Sequence, residues 1–287
     1  MDMPTSQRID LHTHSLCSDG LLSPTALAEA AAAQGVTLFA LTDHDTIAGV
    51  AECARACRAQ QIRHVTGVEV TSSWRGQEIH VVGLGVDPAH PALTAHLAQV
   101  IERRRERVEV ILERLRRALR LPPDDTFGAT INSLPVPTRT HIARELIARG
   151  EVTSIQHAFR QWLGRGRPGY APQQWPDLAS AIAAIRASGG QAVLAHPHSY
   201  KLSSGGRRAL FAEFAALGGS AAELDMPGLS PTDAMQLGEL SRAHGLAGSA
   251  GSDFHEPGQA WRPLGRFAKL PAGIEPLWTR FAQTQNG

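Results

Sequence analysis

Ten residues of this chain are of the types that bind metal ions or move protons, and they fall in short patches separated by long apolar stretches: His12, His14, Asp19, Asp43, His44, Glu69, His80, His196, Asp253 and His255. In Ile9-Asp10-Leu11-His12-Thr13-His14 two histidines stand at i and i+2, and Asp19 follows in Ser18-Asp19-Gly20. On an extended chain i and i+2 point to one side, so His12 and His14 can converge on a single ion. Imidazole with carboxylate suits borderline to hard divalent ions such as Zn²⁺, Mn²⁺ or Fe²⁺, whereas a purely structural zinc would use thiolates. A lone histidine at a strand end is ordinarily a satisfied polar residue, and an aspartate such as Asp43 can simply cap a following helix. Six histidines and three carboxylates in such positions form an ensemble that is hard to assign to chance. Without Asp43 the set exceeds what one tetrahedral ion uses and suffices for two or three ions if a carboxylate bridges.

The elements around these patches must bring them together. Ser23-Pro24 is a cap with proline at the first helical position, opening an Ala-rich helix that Gly35 closes. An apolar strand from Val36 to Leu41 delivers Thr42-Asp43-His44-Asp45, and a helix from about Ile47 to Gln60 follows. A strand over 62–70 carries Glu69. Ser72 to Gln77 reads as a turn into a strand from Glu78 to Leu84 that carries His80, a hairpin added to a parallel plan. Strand–helix alternation resumes near Asp177, the cap of a helix to Ser188. Strands 191–195, 220–224 and 246–250 then alternate with helices, the first ending in His196-Pro197-His198 and the last in Gly251-Ser252-Asp253-Phe254-His255. This rhythm predicts a parallel α/β barrel, whose strand C-termini share one rim.

Between the two halves the pattern is helical. From Pro91 to about Arg120 apolar residues recur at helical spacing, Thr138 caps a helix to about Arg149, and a third runs from Thr153 to Trp162. Residues 98–168 are read as a helical insert over the barrel mouth, with 1–97 and 169–287 as the barrel. The arginines of the first helix, Arg103 to Arg107 and Arg114 to Arg117, would suit a nucleic acid. The interleaved glutamates favour a solvated face with i,i+4 partners such as Glu113–Arg117.

Composition sets limits. The chain has 287 residues, 43% hydrophobic and 19% charged, with net charge +1, so no strong field points to duplex nucleic acid or a membrane. Thirteen histidines is the one anomaly. His64, His90, His96, His141, His157 and His244 lie in helices, loops or strand starts and read as structural or surface residues. Cys17, Cys53 and Cys57 are odd in number and lack zinc-type pairing; Cys53 and Cys57, one helical turn apart, read as buried thiols. No apolar leader segment and no run of 18 apolar residues is visible, which leads to the expectation of a cytoplasmic, reducing compartment.

Taken together, Ile-Asp-Leu-His12-Thr-His14-Ser15-x-x-Ser18-Asp19-Gly20, Thr42-Asp43-His44-Asp45-Thr46, Gly67-x-Glu69, His80, Ala195-His196-Pro197 and Gly251-Ser252-Asp253-Phe254-His255 resemble the PHP (polymerase and histidinol phosphatase) family over about 1–90 and 170–260. The resemblance implies a distorted (β/α)₇ barrel with a small helical insert domain, and a trinuclear metal centre that hydrolyses phosphoesters. Carried over by motif, one ion takes His12, His14, Glu69 and Asp253. A second shares bridging Glu69 and adds His80 and His196, and the third takes Asp19, His44 and His255. Three divalent ions are thus expected as cofactors, Mn²⁺ first, with Fe²⁺ or Zn²⁺ as alternatives. Asp43 is expected to orient His44 or to handle a proton.

Within the family, Pro137-Thr138-Arg139-Thr140-His141-Ile142-Ala143 and Gly164-Arg165-Gly166-Arg167-Pro168 resemble the bacterial 3′,5′-nucleoside bisphosphate phosphatases. That group implies removal of the 3′-phosphate from 3′,5′-nucleoside bisphosphates to give 5′-monophosphates. The alternatives are a 5′-to-3′ exonuclease on short RNA oligonucleotides and a histidinol phosphatase. A non-catalytic metal-binding domain should have lost ligands, and no motif ligand is missing here. Arg139, Arg165 and Arg167 are candidates for the non-reacting phosphate, because a guanidinium fork matches phosphate geometry, and the alternative is solvated loop arginines; Thr138 is a further substrate-binding candidate. His198 either faces substrate or is incidental. Tyr170, Trp74 and Trp175 are candidates to stack on a base, although packing is the commoner fate of such rings.

Overall fold

The computed structural model describes residues 8–258, 262–265 and 269–281. Its contacts divide the chain into Met1–Leu97 with Pro176–Gly287, and Ala98–Trp175.

In the first unit, β1 (Ile9–Asp10), β2 (Leu38–Phe39) and β3 (Arg63–His64) pair in parallel. A second sheet runs β4 (Gly67–Trp74), β5 (Gln77–Leu84), β6 (Gln191–Leu194), β7 (Ala221–Asp225) and β8 (Ala247–Ala250). It is antiparallel on both sides of β5 and parallel from β6 to β8. Parallel bridges Thr13–Phe254 and His44–Glu69, with the Leu11 N–H bonded to the Ala250 carbonyl, join the ends of the two sheets into a barrel-like α/β fold. The helices α1 (Pro24–Ala33) and α2 (Val50–Ala59) pack beside the first sheet through Leu27, Phe39, Leu41, Cys53 and Cys57. Both of those cysteines are buried free thiols, with sulfurs 3.8 Å apart. Inside the ring the later strands supply mainly alanine and valine, among them Val193, Ala195, Ala221, Ala247 and Ala250, so the interior stays narrow while the strand ends carry the polar groups.

In this unit two sequence expectations need correction. The single strand over 62–70 is broken at Val65-Thr66: β3 belongs to one sheet and β4 to the other. The turn expected from Ser72 onward is shorter, because β4 continues to Trp74 opposite Gln77 and the Ser72 hydroxyl donates to the Ile79 carbonyl. Only Arg75 and Gly76 turn, both at positive φ (49° and 76°), the two-residue geometry that matches strand twist.

The second unit begins within α3 (Pro91–Ala118) and holds α4 (Ala129–Asn132), α5 (Arg139–Ala148) and α6 (Ile155–Ala158). Val108, Ile111, Leu115, Phe127, Ile142 and Leu146 are core residues of this unit. Thr138 caps α5 through His141, and Arg117 pairs with Glu113 on α3. The helix expected over Thr153 to Trp162 is split: α6 starts at its Ser154 cap and passes into a π-helical turn at Phe159–Leu163, closed by the Gly164 N–H on the Phe159 carbonyl. Among the described residues no helix is long and apolar enough to cross a membrane.

Candidate metal centre

The patches leave their strands at one end of the ring. His12 and His14 follow β1, His44 follows β2, Glu69 is on β4, His80 on β5, His196 follows β6, and Asp253 and His255 follow β8. Between His14 and Asp19 the chain folds back sharply: the Gly20 N–H bonds the Ser15 carbonyl, and a Cβ on Gly20 would lie 2.2 Å from the His14 carbonyl oxygen. Only glycine fits that approach. Asp43 fastens the same loop, accepting from the Ser15 N–H at 2.7 Å and from the Ser15 and Ser18 hydroxyls at 2.6 Å each. Those are the contacts of a clamp on the loop rather than of a partner for the His44 ring. Asp45 does the same on the other side, taking the Thr71 N–H and hydroxyl at 2.7 and 2.9 Å. His196 and Asp253 have φ of 30° and 52°, left-handed conformations that non-glycine residues hold only where the surroundings impose them.

Glu69 is the hub. It is fully buried, and its two oxygens lie 3.4 Å from His12 Nε2, 3.4 Å from His14 Nε2, 2.8 Å from His44 Nδ1, and 3.0 Å from both His80 Nδ1 and His196 Nε2. Asp253 Oδ1 is 3.6 Å from His12 Nε2 and 3.3 Å from His14 Nε2. Asp19 Oδ1 is 3.3 Å from His255 Nε2 and 3.8 Å from His44 Nε2. Three groups have ligand atoms within 4.8 Å of one another: His14, Asp19, His44 and His255; His12, His14 and Asp253; and His44, Glu69 and His80. His14 and His44 each belong to two of these groups, so the geometry shares them more widely than the motif carry-over does.

The donor set fits divalent ions. His12 Nε2, His14 Nε2, His44 Nδ1 and Glu69 Oε2 are buried without a hydrogen bond, although opposite partners stand within 3.4 Å. Buried polar atoms are rarely left so, and here they face a common space lined by acceptors and imidazoles. Electrostatics agree. Burial and the neighbouring His255 and His44 push His14 down to about 3, so it is a neutral donor. Burial would also lower His80, but the Glu69 carboxylate overrides it and pushes the ring up to about 10; Asp19 and Asp253 likewise lift His255 to about 9. Burial would raise the carboxyls of Glu69, Asp19 and Asp253, yet the imidazoles around them hold all three well below the ordinary range. Anionic carboxylates and proton-holding imidazoles are the arrangement in which a divalent cation can replace protons.

Residues that the sequence reading passed over complete the frame. Glu223 on β7 is buried, 2.8 Å from His12 Nδ1, and accepts the His196 N–H at 2.6 Å. Asp10, pushed up to about 6 by burial, accepts from the Ser252 and Gly265 N–H groups at 2.8 and 3.0 Å and so ties β1 to the segment carrying Asp253. Arg262 pairs with Asp253, and the Tyr200 hydroxyl accepts the His80 N–H at 2.9 Å. The only sequence signal of Asp10 and Glu223 is a lone charge in an apolar strand, such as Glu223 in Ala-Ala-Glu-Leu, and Tyr200 and Arg262 have none.

Of the substrate candidates, His198 is half-buried beside the cluster and lines a cavity of about 160 Å³ with His196, Ser199, Met226, Asp253 and Arg262. Thr138, Arg139, Arg165, Arg167 and Tyr170 belong to the second unit. Thr138 is buried there, with its hydroxyl committed to the α5 cap, and Arg139 lies over the Phe159 ring at 5.4 Å. Arg165 and Arg167 are exposed, and Tyr170 is half-buried with its carbonyl bonded by Arg114. Trp74 and Trp175 are buried packing residues: Trp74 donates to Glu213, and Trp175 lies under Arg104 and Arg107.

One prediction follows from the close approach of β8's end to β1. A Cβ on Gly251 would lie 2.4 Å from the His12 Cβ and 2.8 Å from its backbone nitrogen. Gly251→Ala must therefore displace His12 or its own strand, with an expected stability loss of roughly 1–3 kcal/mol, as for overpacked cores. Thermal unfolding checks this, and an unchanged midpoint contradicts it.

Comparison with known proteins agrees with this geometry. The PHP domain model matches residues 10–111. The chain is 42% identical over 281 residues to the 5′-3′ exoribonuclease Rnm of Escherichia coli strain K12, covering 96% of this chain and 94% of that protein. It is 40% identical over 270 residues to the 3′,5′-nucleoside bisphosphate phosphatase of Chromobacterium violaceum, covering 94% and 95%. A solved structure of an amidohydrolase from Chromobacterium violaceum with bound sulfate superimposes with a TM-score of 0.89 at 38% identity, covering 96% of both chains. With this likeness over nearly its whole length, and with its strand-end imidazoles and carboxylates gathered at one place, the chain belongs to the PHP domain family.

Proposed function

We propose that the protein is a metal-dependent phosphoesterase that removes the 3′-phosphate from 3′,5′-nucleoside bisphosphates and releases the 5′-monophosphate. The observation that carries this reading is the convergence of five imidazoles on the single buried carboxylate of Glu69. Three divalent ions, with Mn²⁺ the proposed metal, would be held by His12, His14, Glu69 and Asp253; by Glu69, His80 and His196; and by Asp19, His44 and His255. When bound, such ions make water a nucleophile at neutral pH and neutralise charge at phosphorus.

The chain's own groups prepare the site. His14 is held neutral, while His80 and His255 hold protons that they would have to give up in order to hold ions. Asp43 holds the loop that carries Asp19 in place through Ser15 and Ser18. His198 is assigned to the substrate, a role supported by the cavity it lines with His196 and Asp253. Arg139, with Arg165 and Arg167, is assigned the phosphate that does not react.

A second reading, 5′-to-3′ removal of nucleotides from short RNA, is favoured by the 42% identity to a protein of that name. The two readings share the chemistry at phosphorus and differ in the leaving group. The discriminating experiment compares kcat/KM for adenosine 3′,5′-bisphosphate, a short 5′-phosphorylated RNA and histidinol phosphate with Mn²⁺ present. The bisphosphate is expected to lead; a lead for the RNA transfers the assignment to the exonuclease, and a lead for histidinol phosphate overturns both. For Arg139→Ala, KM for the bisphosphate is expected to rise about tenfold or more, the scale of a lost charged hydrogen bond. Turnover of a nucleoside 3′-monophosphate should be unchanged, and an unaltered ratio of the two removes Arg139 from the phosphate.

A further inference from the structure

Glu223 is buried at 1% exposure in β7, a strand that contributes no ligand to the cluster. One of its oxygens is 2.8 Å from His12 Nδ1 and the other accepts the His196 N–H at 2.6 Å. A carboxylate only accepts, so the nitrogen of His12 that faces Glu223 must carry the proton. The opposite nitrogen, His12 Nε2, makes no hydrogen bond and points at Glu69 and Asp253, 3.4 and 3.6 Å away. At His196 the same carboxylate holds a backbone in the left-handed region, at φ 30° and ψ 54°, from which the ring reaches Glu69 Oε1 at 3.0 Å. His12 and His196 are 184 residues apart in sequence, yet their rings stack 5.8 Å apart and both face the same oxygen of Glu69.

We propose that Glu223 is a positioning residue that fixes the His12 tautomer and the His196 backbone together, so that two of the proposed metal groups are set by one carboxylate. The inference rests on the metal-centre reading above but not on the identity of the substrate. Glu223→Gln is the informative change because an amide has one accepting and one donating end. If the amide oxygen keeps the His196 N–H, the NH₂ faces His12 Nδ1 and drives the proton onto Nε2, the atom aimed at the cluster. If the amide turns over, the NH₂ opposes the His196 N–H. Either arrangement spoils one of the two groups.

The test is Mn²⁺ binding to chelator-stripped protein, measured by titration calorimetry without substrate. Glu223→Gln is expected to weaken the affected Mn²⁺ binding by roughly 10–100-fold, the usual effect of losing a carboxylate behind a metal-binding histidine. The metal-free unfolding midpoint should stay near that of the natural protein, and the Mn²⁺ concentration for half-maximal phosphatase rate should move by the same factor. An isotherm that matches the natural protein overturns the proposal, as does a fall in the unfolding midpoint with no change in metal affinity. If the variant fails to fold, histidine ¹⁵N NMR of the Zn²⁺-loaded natural protein decides: Nδ1 of His12 is expected to be protonated, and an unprotonated Nδ1 overturns the assignment. Failure of the phosphatase reading alone would leave the binding result standing.

Discussion

Glu69→Gln is expected to lower kcat/KM by about 10³-fold while leaving the fold intact. Glu69 lies between Val68 and Val70 in the middle of a paired strand, and no backbone hydrogen bond depends on its side chain. Glutamine matches it in size, so packing is kept. What disappears is the negative charge that opposes His12, His14, His44, His80 and His196 at once. A loss of roughly 4 kcal/mol of transition-state stabilisation, the scale expected when a metal centre loses its shared ligand, corresponds to about three orders of magnitude in rate. Steady-state kinetics at saturating Mn²⁺, with circular dichroism as the fold control, measure it. A variant within tenfold of the natural rate removes Glu69 from the hub.

The second large effect concerns the metal-free protein. His80 and His255 have folded pKa values of about 10 and 9, raised above the ordinary 6.5 by Glu69 and by Asp19 with Asp253. A raised histidine contributes stability that is fully present below 6.5 and is lost as pH rises through 9 and 10. The carboxyls are shifted the other way, well below their usual values, so they lose stability only in acid and are silent in this window. Stripped protein should therefore unfold at a lower temperature at pH 9.5 than at pH 7, on the order of 5–10 °C lower for a chain of this size. The same protons must leave when ions bind, so Mn²⁺ affinity should rise between pH 7 and 9, by up to about a hundredfold per unit if both rings release one. A stripped protein whose midpoint is flat or rises over that range contradicts the protonation scheme. An Mn²⁺ affinity indifferent to pH does the same.

The candidate cluster was legible in the sequence because His12, His14, His44, His196, Asp253 and His255 stand just past short apolar strands, with Glu69 and His80 inside the two strands of the hairpin, and because histidine paired with carboxylate is a restrictive choice at such places. Glu223 and Asp10 were not, since each looks like one stray charge in a short strand. Their meaning lies in partners 211 and 242 residues away, His12 and Ser252. Asp43 was legible as important but not in its contacts, because the serines that occupy it precede it by a whole strand–helix unit. The hairpin was misplaced because Ser72 and Ser73 have turn composition, yet the Ser72 hydroxyl satisfies a cross-strand carbonyl and keeps the strand going. The break at Val65-Thr66 was invisible because its cause is the parallel bridge of His44 to Glu69, which passes the chain from one sheet to the next.

The most direct measurement is phosphate release from adenosine 3′,5′-bisphosphate by one preparation in two states, stripped with a chelator and then reconstituted with Mn²⁺. The stripped protein is expected to be inactive and the reconstituted protein to recover full turnover. Equal release in the two states would contradict a metal-dependent centre built on Glu69 and its histidines.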